Sequence, residues 1–424
     1  MSLLKAGAGC AAIEFPQEMF PFEGFKGVHD APHVRVLYME QGSRFVLAAY
    51  EIVMLHDPMI RQCKEMIAQI LGVDIENVWI HMTHAITTPH GPMGPKIGLG
   101  GHAVEKSPEE QAAEEKLKGM YDKAILTATE EAAGQALAGI REAYLGIGTG
   151  ESRVNCCRDF ESELGWWIGI NPDGPSNRKM TVLKFTDAEK KPLAFLISYG
   201  IKPCAIDNSQ MSENERLVSS DVPGLMCTLL EEKYGAPSLF VMAAAGDQIP
   251  RKMAMYDVIE NGEIKHIDLG VAEGLRYVDG LGHEMAADAV AIIEGIETVS
   301  EGNAIRRNKG SYIWETKGRM EFAPRREYTY ETDGKTAEMP VETFRLGDVA
   351  FVACKPETNC RTEMELQEAS PVAHTLLMSM INGGMKYMPD QESYDKVKWE
   401  SQSSMLMPGA AEKFVETAAK LLAE

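Results

Sequence analysis

The sequence predicts an α/β fold built on a mixed, largely parallel sheet flanked by helices. Three observations support this. Two stretches, one from Phe45 to His90 and one from Pro192 to Gln248, carry the same order of signals: apolar strand, Asp-capped helix, glycine stop, apolar strand, polar loop. With 424 residues, 45% of them hydrophobic, the chain can bury a large core, as one domain over 1–424 or as two lobes of about 1–150 and 151–424. No apolar run approaches the ~18 residues of a membrane helix.

The elements follow in order. Val34–Met39 and Phe45–Met54 are β-type runs separated by Gln41-Gly42-Ser43. Asp57-Pro58 predicts a helix start, because Asp caps free N–H groups and proline's fixed φ suits the first turn. Ile60, Cys63, Ile67, Ile70 and Leu71 keep helical spacing, and Gly72 stops the helix. Val78-Trp79-Ile80 then opens a strand that runs into Thr83-His84-Ala85-Ile86-Thr87-Thr88-Pro89-His90, completing a β-α-β unit. Ser107-Pro108-Glu109-Glu110 has the capping-box pattern and predicts a helix to about Tyr144. Asn171-Pro172-Asp173-Gly174-Pro175 is a turn cluster.

The second unit repeats the grammar. Pro192–Ile201 is a strand, Ser220-Asp221 caps a helix, Gly235 stops it, and Leu239–Ala243 leads to Ala245-Gly246-Asp247-Gln248. From Ser311 to Ala353 the pattern is strand-like, including Glu321-Phe322-Ala323 and Tyr328-Thr329-Tyr330. A helix closes the sequence, with Phe414, Val415, Ala418, Leu421 and Leu422 on one face. Open α/β sheets hold ligands beyond the carboxyl ends of their strands, so the loops at His84, Lys202 and Asp247 are expected to share one cleft.

Charge narrows the partners. The formal net charge is −21, which repels phosphate backbones and anionic lipid surfaces, so the expected partner is a small-molecule substrate, with no nucleic acid and no membrane. Homo-oligomerisation is left open. The start, Met1 to Cys10, lacks a signal-peptide core, and the eight cysteines form no CxxC pair, so a cytoplasmic protein with reduced, packed thiols is expected.

Three constellations carry chemistry. His81, His84, His90 and His102 fall within 22 residues, with Lys96 among them. Imidazole is both a common metal ligand and an acid/base near neutrality. His81 and His84 lie an odd number of residues apart and face opposite sides of a strand, so His84, at the strand end, is the functional candidate. Ala243-Ala244-Ala245-Gly246-Asp247-Gln248 leaves a buried strand with small residues and an acid. Val352-Ala353-Cys354-Lys355-Pro356-Glu357-Thr358 places a carboxylate just past an apolar strand.

Taken in order, these pieces resemble the catalytic domain of the neutral/alkaline ceramidase family. The similar segments are Ala6-Gly7-Ala8-Gly9, Gly27-Val28-His29-Asp30 leading to Arg35, and Thr83 to Pro89 in place of Thr-His-Thr-His-Ser-Gly-Pro. They continue with Tyr199-Gly200-Ile201-Lys202-Pro203 in place of Tyr-Ala-Val-His-Pro, Ser220 to Gly224, Ala245 to Pro250 in place of Gly-Asp-Val-Ser-Pro, Pro356-Glu357, and Asn382 to Tyr387. The chain is too short for the family's C-terminal Ig-like domain. The resemblance implies a zinc ion or another divalent metal held by His84, Glu357 and Tyr387. It also implies that one ligand histidine has become Lys202, a second family histidine Ile86, and the family's catalytic serine Ile249.

The expectation is therefore a hydrolase of amide or ester bonds in a small polar metabolite rather than ceramide. His84, Lys202 and Asp247 are its catalytic candidates, and Arg35, His29, Thr87, His90, Gly246 and Gln248 its substrate-binding ones. Two alternatives stand beside it: a metal-free isomerase or lyase using Lys202 and His84, and a catalytically inactive small-molecule binding protein.

Overall fold

A computed structural model describes residues 3–91, 107–207, 216–299 and 305–424. The main elements begin with strands β1 (Lys5–Ala12), β2 (His33–Gln41) and β3 (Ser43–Tyr50), helix α1 (Asp57–Leu71) and strand β4 (Val78–Met82). Helix α2 (Pro108–Gly139) leads to strands β5 (Tyr144–Glu151), β6 (Asn155–Ser162), β7 (Gly165–Asn171), β8 (Lys179–Thr186) and β9 (Pro192–Tyr199). Next come helix α3 (Asp221–Tyr234), strands β10 (Ser238–Met242) and β11 (Gln248–Pro250), and helix α4 (Val271–Glu294). The remainder holds β12 (Ile305–Lys317), β13 (Thr332–Leu346), β14 (Val349–Ala353), β15 (Glu357–Thr358), helix α5 (Cys360–Ala369), β16 (His374–Met378), β17 (Tyr387–Met388), and helices α6 (Trp399–Ser403) and α7 (Ala410–Ala423).

Local signals explain the boundaries. Gly72 and Gly235 end α1 and α3 in the left-handed conformation, at φ 63° and 64°, where a side chain would be strained. Ser107 and Glu110 form the expected capping box at the start of α2. That helix stops at Gly139, earlier than its pattern suggests, because Arg141–Glu142 pairs with the edge of β1. Helix α1 begins at Asp57 itself, with His56 in the capping position.

Three larger sheets share one core. Their strand orders are β4-β3-β2-β1, with Arg141–Glu142 at the edge; β10-β9-β8-β5; and β12-β13-β14-β16. Leu37, Leu47 and Trp79 of the first, Leu183, Leu196 and Val241 of the second, and Phe344 and Phe351 of the third belong to one buried cluster. Helices cover the opposite faces: α1 and α2 on the first sheet, α3 and α4 on the second, α5 and α7 on the third. Strands buried on both faces carry near-continuous apolar runs, which is why the sequence reads as a parallel sheet.

The sheets are mixed, as expected, but most of their ladders are antiparallel. Parallel pairing occurs where a helix crosses over: β3 to β4 through α1, β9 to β10 through α3, and β14 to β16 through α5. Two short parallel pairs add to these, Phe25–Val28 with Arg216–Val218 and β15 with β17. The segment 318–331, expected to be strand, lies outside the ladders, since Gly318 and Pro324 interrupt it; there Phe322 stacks on Trp399 at 4.2 Å between ring centroids. Among the described residues no helix is long and apolar enough to cross a membrane.

Candidate active site

Three strands of the crossover units run into loops that deliver a polar side chain to one place. His84 follows β4 in a left-handed turn, Lys202 follows β9, and Glu357 follows β14. Tyr387 joins them because β15 pairs with β17, setting Glu357 directly beside Tyr387. The backbone N–H of Glu357 donates to Lys386 O at 2.8 Å, and that of Lys202 to Gln248 O at 3.1 Å, which fixes both loops.

The four side chains form one network, buried except at His84, which is partly exposed. The Lys202 ammonium, 1% exposed, lies 2.6 Å from Glu357 Oε2 and donates to the Tyr387 hydroxyl at 2.9 Å. His84 Nε2 lies 3.2 Å from Glu357 Oε1, while its Nδ1 meets Val53 O at 2.8 Å. Both ring nitrogens thus face acceptors. Burial opposes the charges on Lys202 and Glu357, but their mutual attraction outweighs it. Glu357 and Tyr387 raise the Lys202 pKa above its ordinary value, and Lys202 and His84 hold Glu357 below the usual carboxylate range.

Two residues without a sequence signal of their own complete the site. Arg158 of β6 places its guanidinium 5.3 Å from the centre of the Tyr387 ring, and its Nε donates to Glu400 at the start of α6 at 2.7 Å. Asp207 follows Lys202 by five residues, and burial pushes its carboxyl up to about 6 despite the opposing pull of Arg216 and Lys202. Arg158, Lys202 and Asp207 line a cavity of about 110 Å³ whose other walls include Ile86, Ile249 and Met253. Arg158 lies in a strand of mixed polarity, Asn155–Ser162, with Asp159 and Glu161 beside it, and does not stand out there. Asp207 does not stand out in the sequence either.

Asp247 sits behind this cavity and not in its lining. Its carboxylate accepts from the Cys360 backbone N–H at 2.9 Å and from the Cys360 thiol at 3.3 Å. Burial and the Glu400 charge push it up to about 6. Donor atoms of Cys157, Asp159 and Asp247 lie within 4.8 Å of one another, a buried group with the composition of a metal-binding cluster.

The other candidates take structural places. Arg35 was expected to orient substrate, but it is 1% exposed and bound to Glu51 and to Glu231 of α3, at 2.7 Å for the latter, so it ties β2 to α3. The Thr87 hydroxyl donates to Ser219 O at 2.7 Å, and Gln248 is spent on Pro175 O at 3.0 Å and on Asn155. Gly246 donates to Thr358 O at 2.8 Å, and a Cβ there would stand 2.9 Å from Asn359 Oδ1, so it serves close loop packing. His29 is exposed and hydrogen-bonded to Asp30 at 2.9 Å. His90 binds Glu23 and lines a separate cavity of about 460 Å³ with Met59 and Tyr121. His81 is a core histidine held between Ser379 O and Met242 N, and burial pushes it down to about 3, consistent with its facing away from His84. His102 and Lys96 lie outside the described residues.

No protein-family model and no curated protein matches this sequence. Solved structures do. A ceramidase in complex with C2 superposes with a TM-score of 0.71 at 15% identity, over 99% of this chain and 75% of that one. The chain has the ceramidase fold. A neutral ceramidase from Pseudomonas aeruginosa gives a TM-score of 0.69 at 16% identity, over 100% of this chain and 74% of that one. In this fold His84, Lys202, Asp247 and Glu357 each follow the carboxyl end of a strand. Ile249 and Ile86 are both on the cavity wall.

Proposed function

We propose that this protein is a hydrolase of ester or amide bonds in a small polar molecule, and that the Lys202 ammonium takes the place of a divalent ion. The observation carrying this is the position of Nζ, 2.6 Å from Glu357 and 2.9 Å from Tyr387, with His84 on the other Glu357 oxygen. These are the groups that the motif resemblance assigns to zinc, and their polar atoms already have partners among themselves. Lysine ligates a metal only as the neutral amine, whereas Glu357 stabilises the ammonium here. The set does not fit a divalent ion.

The chain's own groups support a metal-free route. Lys202 and Arg158 present positive charge to the cavity, where a carbonyl oxygen gains negative charge as water adds. Asp207, with its carboxyl near 6, is suited to take the proton from that water. Glu357 and His84 hold Lys202 in position. The cavity, about 110 Å³, is well below the ~300–1,000 Å³ of sites that enclose drug-sized ligands. It suits a small substrate or the reacting end of a larger one.

The test is a turnover screen over small esters and amides, comparing wild type with Lys202→Met and Asp207→Asn. Activity lost in both variants supports the reading, and full turnover in Lys202→Met refutes it. A second reading, an isomerase or lyase using Lys202, is favoured because the described residues that line the cavity include no serine or threonine. Borohydride trapping of a substrate adduct on Lys202 would select it.

A further inference from the structure

Behind Arg158 lies a second group of reactive side chains that the proposed reaction does not use. Strand β6 alternates its faces, so Arg158 turns toward Tyr387 while Cys157 and Asp159 turn the other way. There they meet Asp247, with donor atoms of all three within 4.8 Å of one another. Asp159 is 1% exposed, and neither of its carboxylate oxygens has a hydrogen-bond partner. The Lys398 ammonium stands 3.6 Å from Asp159 Oδ2, beyond ordinary hydrogen-bond reach. A buried carboxylate left in this state is costly unless something else binds it.

We propose that Cys157, Asp159 and Asp247 bind one divalent transition-metal ion of the zinc class, at a structural site distinct from the Lys202 network. Charge balance favours it. A thiolate and two carboxylates carry three negative charges, and Lys398, shared between Asp159 at 3.6 Å and Glu392 at 3.7 Å, supplies one positive charge, so a divalent ion offsets negative charge that is otherwise in excess. Arg158 and Glu400 already neutralise each other alongside. The donor set selects the metal, because calcium and magnesium prefer all-oxygen ligands while thiolate suits zinc and its neighbours. Zinc holds its ligand atoms at about 2.0–2.3 Å, so the three donors need only close inward. A fourth donor is at hand in the Cys360 thiol, 3.3 Å from Asp247 Oδ2.

The ion would join three elements: β6, the loop after β10 and the start of α5. Arg158 N–H donates to Asp247 O at 3.0 Å, and Lys202 N–H to Gln248 O at 3.1 Å. A clamp on Asp247 therefore fixes the backbone that seats both cations of the active site.

The experiment is metal analysis of untagged protein purified without chelator, alongside cobalt titration of the metal-stripped form. Zinc near one ion per chain is expected in wild type and in His84→Ala, falling to trace in Asp159→Asn and Cys157→Ser. Cobalt is expected to give thiolate charge-transfer absorption that is lost in Cys157→Ser. Thermal unfolding of wild type with and without chelator needs no variant: a drop in Tm reversed by zinc supports the site. Metal-free wild type that shows no cobalt–thiolate band overturns the proposal. So does an ion that survives Asp159→Asn but leaves with His84→Ala. That last result would also place the metal among the Lys202 groups and sink the metal-free reaction, whereas inactive protein with its zinc intact would sink only the reaction.

Discussion

Lys202 and Glu357 are each other's condition for being charged in a dry place, and removing one leaves the other stranded. Lys202→Met is expected to cost about 3–5 kcal/mol of stability, because it leaves an uncompensated buried carboxylate. The double variant Lys202→Met with Glu357→Gln should recover most of that loss. Urea unfolding of the three variants measures it, and a double variant no more stable than the single one would contradict the pairing. For Asp207 the prediction is kinetic. Turnover should rise with pH through about 6 as the carboxyl loses its proton, and Asp207→Asn should abolish both the rise and most of the rate. His84, Lys202, Glu357 and Tyr387 were legible because each sits just past a strand or in a motif-like loop. Arg158 was not, since its role depends on Glu400, 242 residues away. Arg35 was misread for the same reason: its partner Glu231 is 196 residues distant, and a lone arginine on a strand does not announce a buried ion pair.

At the scale of elements, the sequence showed two of the three crossovers. The third, through α5, escaped notice because Cys360–Ala369 is short and mostly polar, with Leu366 its one buried large apolar side chain. Antiparallel pairing escaped for a physical reason already visible in β2 and β3. A strand covered on both faces looks the same whichever way its neighbour runs. Close packing makes a sharper prediction. The small residues of β1 let the α2 backbone approach, and a Cβ on Gly9 would stand 2.1 Å from Ala132 O. Backbone cannot yield as a flexible side chain can, so Gly9→Ala should destabilise by about 1–3 kcal/mol. Gly27→Ala, which meets nothing within 4 Å, is the control. Equal melting temperatures for the two would show that α2 does not rest on β1 as described.

The whole molecule carries its excess negative charge together with several buried acids. Burial pushes Asp221 and Glu363 up to about 7, and Asp207 up to about 6. The folded form therefore holds protons that the unfolded chain releases above about pH 4, and the stability they provide is lost as pH rises through 6 to 7. Glu357, Glu51 and Asp30 have lowered values, so their contribution fades instead as pH falls below the usual carboxylate range. Stability is expected to peak near about pH 5 and to be lower at pH 8; a denaturation midpoint that climbs steadily to pH 8 would contradict this. The placement of the four network residues also bears on how the protein is made. His84 leaves the ribosome first, Lys202 after it, and Glu357 and Tyr387 last of the four. No nascent or prematurely terminated chain lacking Tyr387 can assemble the centre, so whatever reaction it performs is withheld until the ribosome has passed Tyr387.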